Sequence, residues 1–131
     1  MPFPRYLLLI PLLLSLLGCA AQERQRHFNE TAFAFERAIR WQTLDDAAAF
    51  QKEPQSISPR QRALMKSIKV TGYDVIRTSP AGKNRLRQVV EIRYYNEHRA
   101  IERNMRVELE WEYDPERERW QLVSKLPEFG E

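Results

Sequence analysis

Apolar residues recur at helical spacing in the first half of the chain. Phe28, Ala32, Phe35 and Ile39 follow one another at steps of four, three and four. This spacing places them on one face of an α-helix, so it predicts an amphipathic helix that ends near Trp41. The apolar face is widened by three more residues, Phe33, Ala34 and Ala38.

Two shorter helices are predicted next. Thr43 is followed three residues later by Asp46, which is the spacing of a helix N-cap and its acidic partner. The helix that starts there is expected to stop before Pro54. Ser58 and Pro59 form a second start signal, because serine caps a helix and proline suits its first position. The third helix is expected to be brief.

After residue 66 the apolar period changes from about 3.6 to 2, the period of a β-strand. Four strands are predicted, separated by turns at residues 79–82, 96–99 and 114–115. The alternation slips at Gly72, which predicts a bulge or bend in the first strand. The third strand is the clearest, and its apolar face carries Ile101, Met105, Val107, Leu109, Trp111 and Tyr113. This pattern is typical of an antiparallel meander with one solvated face.

Helices followed by such a meander predict a two-layer α+β domain, with the N-terminal helices on the concave side of a curved four-stranded antiparallel sheet. We assign this single domain to residues 28–126 and a C-terminal tail to residues 127–131. Arg103 breaks the pattern, since it is in phase with the apolar face and an unpaired guanidinium is costly to bury. It is expected to reach solvent at the strand end, to pair with a carboxylate, or to line a pocket for an anionic group.

Residues 1–18 differ in composition from the rest of the chain. Arg5 is their only charged residue, and residues 6–17 form an apolar run broken by Pro11. A membrane-spanning helix needs about 20 apolar residues, so this run is too short for a permanent span. A positive start, a short apolar core and small residues at the end are the layout of a secretory signal peptide.

The signal ends in Leu16-Leu17-Gly18-Cys19. This quartet resembles the lipobox of bacterial lipoproteins, in which an aliphatic and a small residue precede an obligatory cysteine. The resemblance implies that residues 1–18 are removed, that diacylglycerol is attached to the Cys19 sulfur, and that the new amino terminus is acylated. Residues 19–27 are then an acylated tether, or the loosely held start of a helix. Cys19 is the only cysteine, so an internal disulfide is excluded.

The residue after the cysteine is Ala20. In Gram-negative lipoproteins, an aspartate at this position is the usual signal for retention in the inner membrane. The resemblance therefore implies sorting to the outer membrane, with the domain facing the periplasm, if the host has two membranes.

Three helices followed by a long curved antiparallel sheet resemble the nuclear transport factor 2-like (SnoaL-like) superfamily, and the tryptophan-rich final hairpin adds to the likeness. The resemblance is one of pattern over residues 28–126, and it implies a cone-shaped half-barrel. The residues expected to line a pocket in the cone are Tyr73, Tyr94, Arg103, Trp111 and Trp120. The alternative is that the four aromatic side chains form an ordinary core. The chain is short for this superfamily and lacks the buried Asp/His pair of its enzyme members.

Catalytic and metal sites are not indicated by the sequence. The two histidines, His27 and His98, fall in the predicted tether and in a turn, without the spacing of metal ligands. No serine lies in the setting of a catalytic nucleophile, and no glycine lies in a phosphate-binding loop. Asp45 and Asp46 are explained by the dipole of the helix that they begin. We therefore predict no catalytic residue, no metal and no cofactor.

Twenty basic and eighteen acidic residues follow Cys19, and the arginines alternate with glutamates. A nucleic-acid-binding protein would show a basic stripe, so nucleic acid is not an expected partner. The leading hypothesis is an envelope lipoprotein that acts as a non-enzymatic binding or interaction module, for a protein partner or a small apolar ligand. The alternatives are a structural accessory subunit of an outer-membrane assembly and a small cavity enzyme. Homodimerisation through the charged outer face of the sheet stays open.

Overall fold

The computed structural model describes residues 9–130, with side chains from residue 16 onward. The first part of the predicted signal peptide, residues 1–8, lies outside the described residues. Three helices precede four strands: α1 (Leu9–Trp41), α2 (Leu44–Ala48), α3 (Pro59–Met65), β1 (Ile68–Pro80), β2 (Arg85–Asn96), β3 (Glu102–Asp114) and β4 (Arg119–Leu122). The predicted α+β class is confirmed, with helices packed on a curved, open, four-stranded antiparallel sheet.

The two short helices begin at the predicted caps. Thr43 caps α2, and the Asp46 carboxylate accepts a hydrogen bond from the Thr43 backbone in return. Ser58 caps α3 in the same reciprocal way with Gln61, and Pro59 occupies the first turn. Each capping box satisfies backbone N–H groups that a short helix would otherwise leave without partners.

The sheet is a simple meander of order β1-β2-β3-β4. The predicted irregularity at Gly72 is confirmed, since the β1–β2 register shifts between Val70 and Gly72. A second shift occurs between Val75 and Arg77, which the sequence pattern did not indicate. Both shifts lie in an edge strand, where bulges bend the backbone and disfavour pairing with other chains.

The opposite edge of the sheet is covered by the segment that follows α2. Leu122 of β4 donates its N–H to the Phe50 carbonyl at 2.8 Å, and its own carbonyl accepts the Lys52 N–H at 2.9 Å. These bonds form a parallel bridge between Gln51 and Leu122. The four-residue β4 is therefore held on both sides, which explains how so short a strand is stable at the sheet margin.

Helix α1 is one continuous helix, and residues 20–27 are part of it. Its contact with the sheet begins before Phe28. The Arg24 carbonyl accepts a hydrogen bond from Trp120 Nε1 at 3.0 Å, and the Arg24 guanidinium lies 4.3 Å from the centre of the Tyr113 ring. The segment that the sequence assigned to a tether or loose helix start is therefore docked on β3 and β4.

The core lies between α1 and the concave face of the sheet. Trp111 is fully buried at its centre, with ring centres of Phe28 and Phe35 at 6.1 and 5.4 Å in edge-to-face geometry. Such aromatic pairs contribute about 0.5–1.5 kcal/mol each beyond the area that they bury. Leu109 and Ile92 are also fully buried. These side chains fix α1 to the sheet.

The residues after β4 return to the core instead of forming a free tail. Leu126 and Pro127 are buried. The Phe129 ring lies 5.0 Å from the Tyr94 ring, and the Gly130 N–H donates to Tyr94 Oη at 3.0 Å. Part of the predicted tail, residues 127–130, is thus packed against β2.

The buried Gln51 joins the segment after α2 to the segment after β4 through side-chain hydrogen bonds. Gln51 Nε2 donates to Gln55 Oε1 and to the Ser124 carbonyl, both at 3.0 Å, and Gln51 Oε1 accepts the Gln55 N–H at 2.9 Å. Gln55 Oε1 also accepts the Leu126 N–H at 3.1 Å. A buried polar network whose members are satisfied rigidifies a core. This one positions the C-terminal segment.

Candidate functional site

The five residues predicted to line a pocket do not surround a common cavity. Tyr73, Trp111 and Trp120 are buried in the core cluster, Tyr94 is buried outside that cluster, and Arg103 is exposed. The ring of Phe28 lies against both Trp111 and Trp120, at 6.1 and 5.2 Å between ring centres. Side chains from α1 therefore occupy the concave space in which the sequence placed a ligand.

Arg103 lies opposite Tyr94 in the β2–β3 register, near the start of β3. Its exposure agrees with the expectation that the guanidinium reaches solvent at the strand end. The void beside it, bordered by Tyr94, Ile101 and Gly130, has a volume of about 10 Å³. That is at the lower limit for a single water molecule, so no ligand-sized space lies beside Arg103.

Tyr73 is a buried titratable residue among the five predicted to line the pocket. Its hydroxyl makes no hydrogen bond within the described residues. Burial raises the pKa of Tyr73 far above its ordinary value, and the nearby Glu36 raises it further. The phenol is therefore neutral at all physiological pH values and cannot act as a base there.

An open groove of about 380 Å³ lies between residues 51–55 and 122–125. Glu112 stands at its wall, with its carboxylate 2.9 Å from Lys52 Nζ and 2.8 Å from Arg85 Nη2. Hydrogen bonds from Lys52 and then Arg85 lower the pKa of Glu112. The carboxylate is thus held ionised and paired, which is the opposite of the raised pKa that a general acid requires.

Glu112 gives the fold an acid-sensitive contact. The pKa of Glu112 is lower in the folded chain than in the unfolded chain. Its ion pairs with Lys52 and Arg85 therefore stabilise the fold fully above the ordinary pKa of 4.5, and this stabilisation is lost as pH falls through the pKa of the folded chain. We expect urea unfolding to show that the variant Glu112→Gln loses less stability than the natural chain between about pH 5 and pH 3. Glu116→Gln, at an exposed residue, should keep the natural dependence. Parallel curves for all three proteins would refute this role.

The outer face of the sheet carries cross-strand charge pairs. Arg87 pairs with Glu110 at 2.9 Å, and Arg106 pairs with Glu91 at 3.3 Å. Arg93 pairs with Asp74 of β1 at 3.2 Å. Exposed pairs of this kind stabilise a fold by only tenths of a kcal/mol to about 1 kcal/mol.

Metal ligands do not converge anywhere in the part of the chain that the structure describes, where no group of three or more His, Cys, Asp or Glu side chains is suitably placed. His98 is exposed in the β2–β3 turn. His27 lies half-buried in α1, with Nε2 3.4 Å from Glu23 Oε1. Within the described residues, neither histidine lines the small void beside Arg103 or the groove of about 380 Å³ at residues 51–55 and 122–125.

The cysteine is accessible to solvent. Cys19 is exposed and unpaired, and Leu16 and Leu17 before it have 63% and 70% of their surface exposed. A side chain placed at Gly18 would meet no other atom within 4 Å. An enzyme that modifies the thiol or cuts before Cys19 could therefore reach this segment from the solvent side of α1.

A second exposed feature of α1 was missed by the sequence reasoning. Phe33 was expected to widen the buried face, but 59% of its surface is exposed, and so is 66% of that of Trp41. The Arg37 guanidinium lies over the Phe33 ring at 5.6 Å, and that of Arg40 over the Trp41 ring at 4.4 Å. We call Phe33, Arg37, Arg40 and Trp41 the aromatic–arginine stripe. The spacing of four from residue 33 to 37 to 41 was the available signal, because it defines a second helix face.

The chain matches no family model, no curated protein and no solved structure. Within residues 9–130, no helix is both long enough and apolar enough to cross a membrane.

Proposed function

We propose that this protein is an acylated envelope lipoprotein whose domain is a non-enzymatic interaction module. The observation that carries the proposal is the exposed, unpaired Cys19 directly after Leu16, Leu17 and Gly18. An exported protein with one free thiol needs a reason for it. Lipid attachment supplies that reason, and the exposure of the segment is what the modifying enzymes would require.

The site of action that we propose is the periplasmic face of the outer membrane. This step depends on the resemblance to Gram-negative lipoproteins and on Ala20, which stands where an aspartate would retain the protein in the inner membrane. Membership of the nuclear transport factor 2-like superfamily is a proposal of the same kind. It is supported by the order of three helices and a curved antiparallel sheet.

A protein partner is favoured over a small ligand by the distribution of apolar surface. The concave face is filled by core aromatics, whereas Phe33 and Trp41 project their rings from the outer face of α1 under arginine side chains. Aromatic residues and arginine are the types enriched at the centres of protein interfaces, where they contribute most of the binding energy. We therefore assign partner binding to the aromatic–arginine stripe.

The experiment is site-specific photo-crosslinking in the native host. A benzoylphenylalanine residue replaces Trp41 or, in a second strain, Phe33, and a third strain carries it at Glu108. Glu108 is exposed on the charged outer face of the sheet, so it is the matched control. We expect one discrete protein adduct from positions 41 and 33 and none from position 108.

Other adduct patterns would point to the alternatives. An adduct from position 108 alone would favour the structural accessory subunit or a homodimer formed through the sheet, and the mass of the adduct separates these two. The absence of an adduct from all three positions, in cells where the protein is lipidated, would contradict the proposed protein partner.

A further inference from the structure

We infer that the domain is anchored without a flexible tether, so that one end of it rests against phospholipid headgroups in a fixed orientation. The inference rests on the proposed acylation of Cys19. The surface concerned consists of residues 20–26 of α1, the β1–β2 turn at residues 81–84 and the β3–β4 turn at residues 115–118. We call it the membrane-proximal end.

The first argument is the length of chain between the lipid and the domain. Arg24 is already fixed to the sheet by its contacts with Trp120 and Tyr113, and only five residue steps separate it from Cys19. As helix, five steps span about 8 Å. If cleavage before Cys19 frayed this segment completely, five extended residues would span no more than about 18 Å. At either distance, the docked part of the domain stays beside the headgroups.

The second argument is that both turns meet α1 at this same end. Arg24 Nη1 donates to the Asn84 side-chain oxygen at 3.0 Å, which ties the β1–β2 turn to the helix. Tyr113, under the Arg24 guanidinium, is the next-to-last residue of β3, close to the β3–β4 turn. The helix then runs along the sheet away from these turns, since Glu36 lies near Tyr73 in the middle of β1. A bilayer at Cys19 therefore faces both turns.

The side chains of the membrane-proximal end suit a phospholipid surface. Four of its basic residues are exposed, Arg24, Arg26, Lys83 and Arg117, and so is Arg119 directly after the β3–β4 turn. Within the described residues, Lys83 and Arg119 make no ion pair. Basic side chains near an anionic membrane surface are attracted to it. Three acidic residues of the same surface, Glu23, Glu116 and Glu118, are also exposed, so the basic residues outnumber the acidic ones there.

A groove of about 410 Å³ opens at this end between α1 and the β1–β2 turn. Leu17, Ala20, Ala21 and Leu86 line it, together with Arg24. Cleavage before Cys19 would remove Leu17, which leaves an open recess directly beside the acylated residue, with Arg24 at its wall.

The fixed orientation has a consequence for the partner. Trp41 lies 22 residues beyond Cys19 in the same helix, which places it about 33 Å farther along the helix axis. Strand β2 spans 12 residues, so the β2–β3 turn lies about 40 Å from the β1–β2 turn. The aromatic–arginine stripe is therefore held away from the bilayer, where a periplasmic partner can reach it.

The test measures energy transfer from a label on the protein to labelled lipid headgroups. Acylation blocks the Cys19 thiol, so an introduced cysteine is the only free one. Lys83→Cys reports on the membrane-proximal end, and His98→Cys reports on the far turn. Both residues are exposed, which makes them a matched pair. Each lipidated protein is purified from its host and placed in phosphatidylethanolamine and phosphatidylglycerol vesicles that contain a headgroup acceptor dye.

We expect transfer from the label at position 83 to exceed that from position 98 several-fold. A third protein carries ten Gly/Ser residues inserted after Ala21, which adds a reach of about 18 Å. In this third protein, the difference in energy transfer between positions 83 and 98 should largely disappear. Equal transfer from both positions without the insertion, or an unchanged difference with it, would overturn the inference. Intact mass shows separately whether Cys19 is acylated, so failure of the anchor and failure of the fixed orientation are distinguishable.

Discussion

Replacing Trp111 with alanine is expected to lower the free energy of unfolding by about 3–5 kcal/mol. The side chain is fully buried, and it is the one against which both Phe28 and Phe35 of α1 are packed. Alanine would leave a cavity beneath the helix and would remove two edge-to-face contacts. Domains of this size are stable by about 5–15 kcal/mol, so the variant is expected to be partly unfolded at physiological temperature. Urea denaturation followed by circular dichroism measures the change.

Trp41→Ala is the matched control for this prediction. It also removes a tryptophan side chain, but one with 66% of its surface exposed, so the expected loss of unfolding free energy is within about 0.5 kcal/mol. Trp111→Phe should lie between the two variants. It keeps an aromatic ring and removes an N–H that makes no hydrogen bond within the described residues. Equal losses for Trp111→Ala and Trp41→Ala would contradict the assignment of Trp111 to the centre of the core.

The second large effect is expected in the distribution of the protein in the cell. In the triple variant Leu16→Ala, Gly18→Ala and Cys19→Ser, an Ala-x-Ala site for an ordinary signal peptidase replaces the lipobox-like quartet. We expect the processed triple variant to appear in the soluble periplasmic fraction, and the natural protein to remain with the membranes. One acyl chain holds a protein only marginally, whereas two or three hold it lastingly, at about 0.8 kcal/mol per buried methylene.

The single variant Cys19→Ser separates processing from anchoring. Without the thiol no thioether can form, so we expect an uncut precursor that still carries residues 1–18. Gel mobility and intact mass after fractionation distinguish it from the other two proteins. Retention of the triple variant in the membrane would mean that something other than acyl chains holds the domain there.

The elements of the fold were largely predictable because they depend on local patterns. Thr43 with Asp46 and Ser58 with Pro59 marked the starts of two helices, and period-two alternation marked the strands. The docking of residues 20–27 on the sheet was not predictable in this way. Their composition suits a helix, and Glu23 pairs with Arg26 and His27 within it. The contact that docks this segment involves Trp120, which is distant in sequence and donates its indole N–H to the Arg24 carbonyl.

The pocket illustrates a different limit of sequence reasoning. Alternation correctly placed Trp111 and Tyr94 on the covered face of the sheet, but it carries no information about how deeply the helix above fills the space. That depth depends on Phe28 and Phe35, whose rings reach the sheet. Exposure of Phe33 also depends on the placement of the helix. Its helical spacing alone fits both the margin of the buried face and a separate exposed face.

Lipid anchoring through Cys19 can be measured as the intact mass of the protein purified in detergent from membranes of its own host. We expect a chain that begins at Cys19 and carries the added mass of a diacylglyceryl group on the sulfur and a third acyl chain on the amine. Fragmentation should place all of the added mass on Cys19. A mature chain that begins at another residue, or one in which Cys19 is a free thiol, would show that Cys19 is not the anchor.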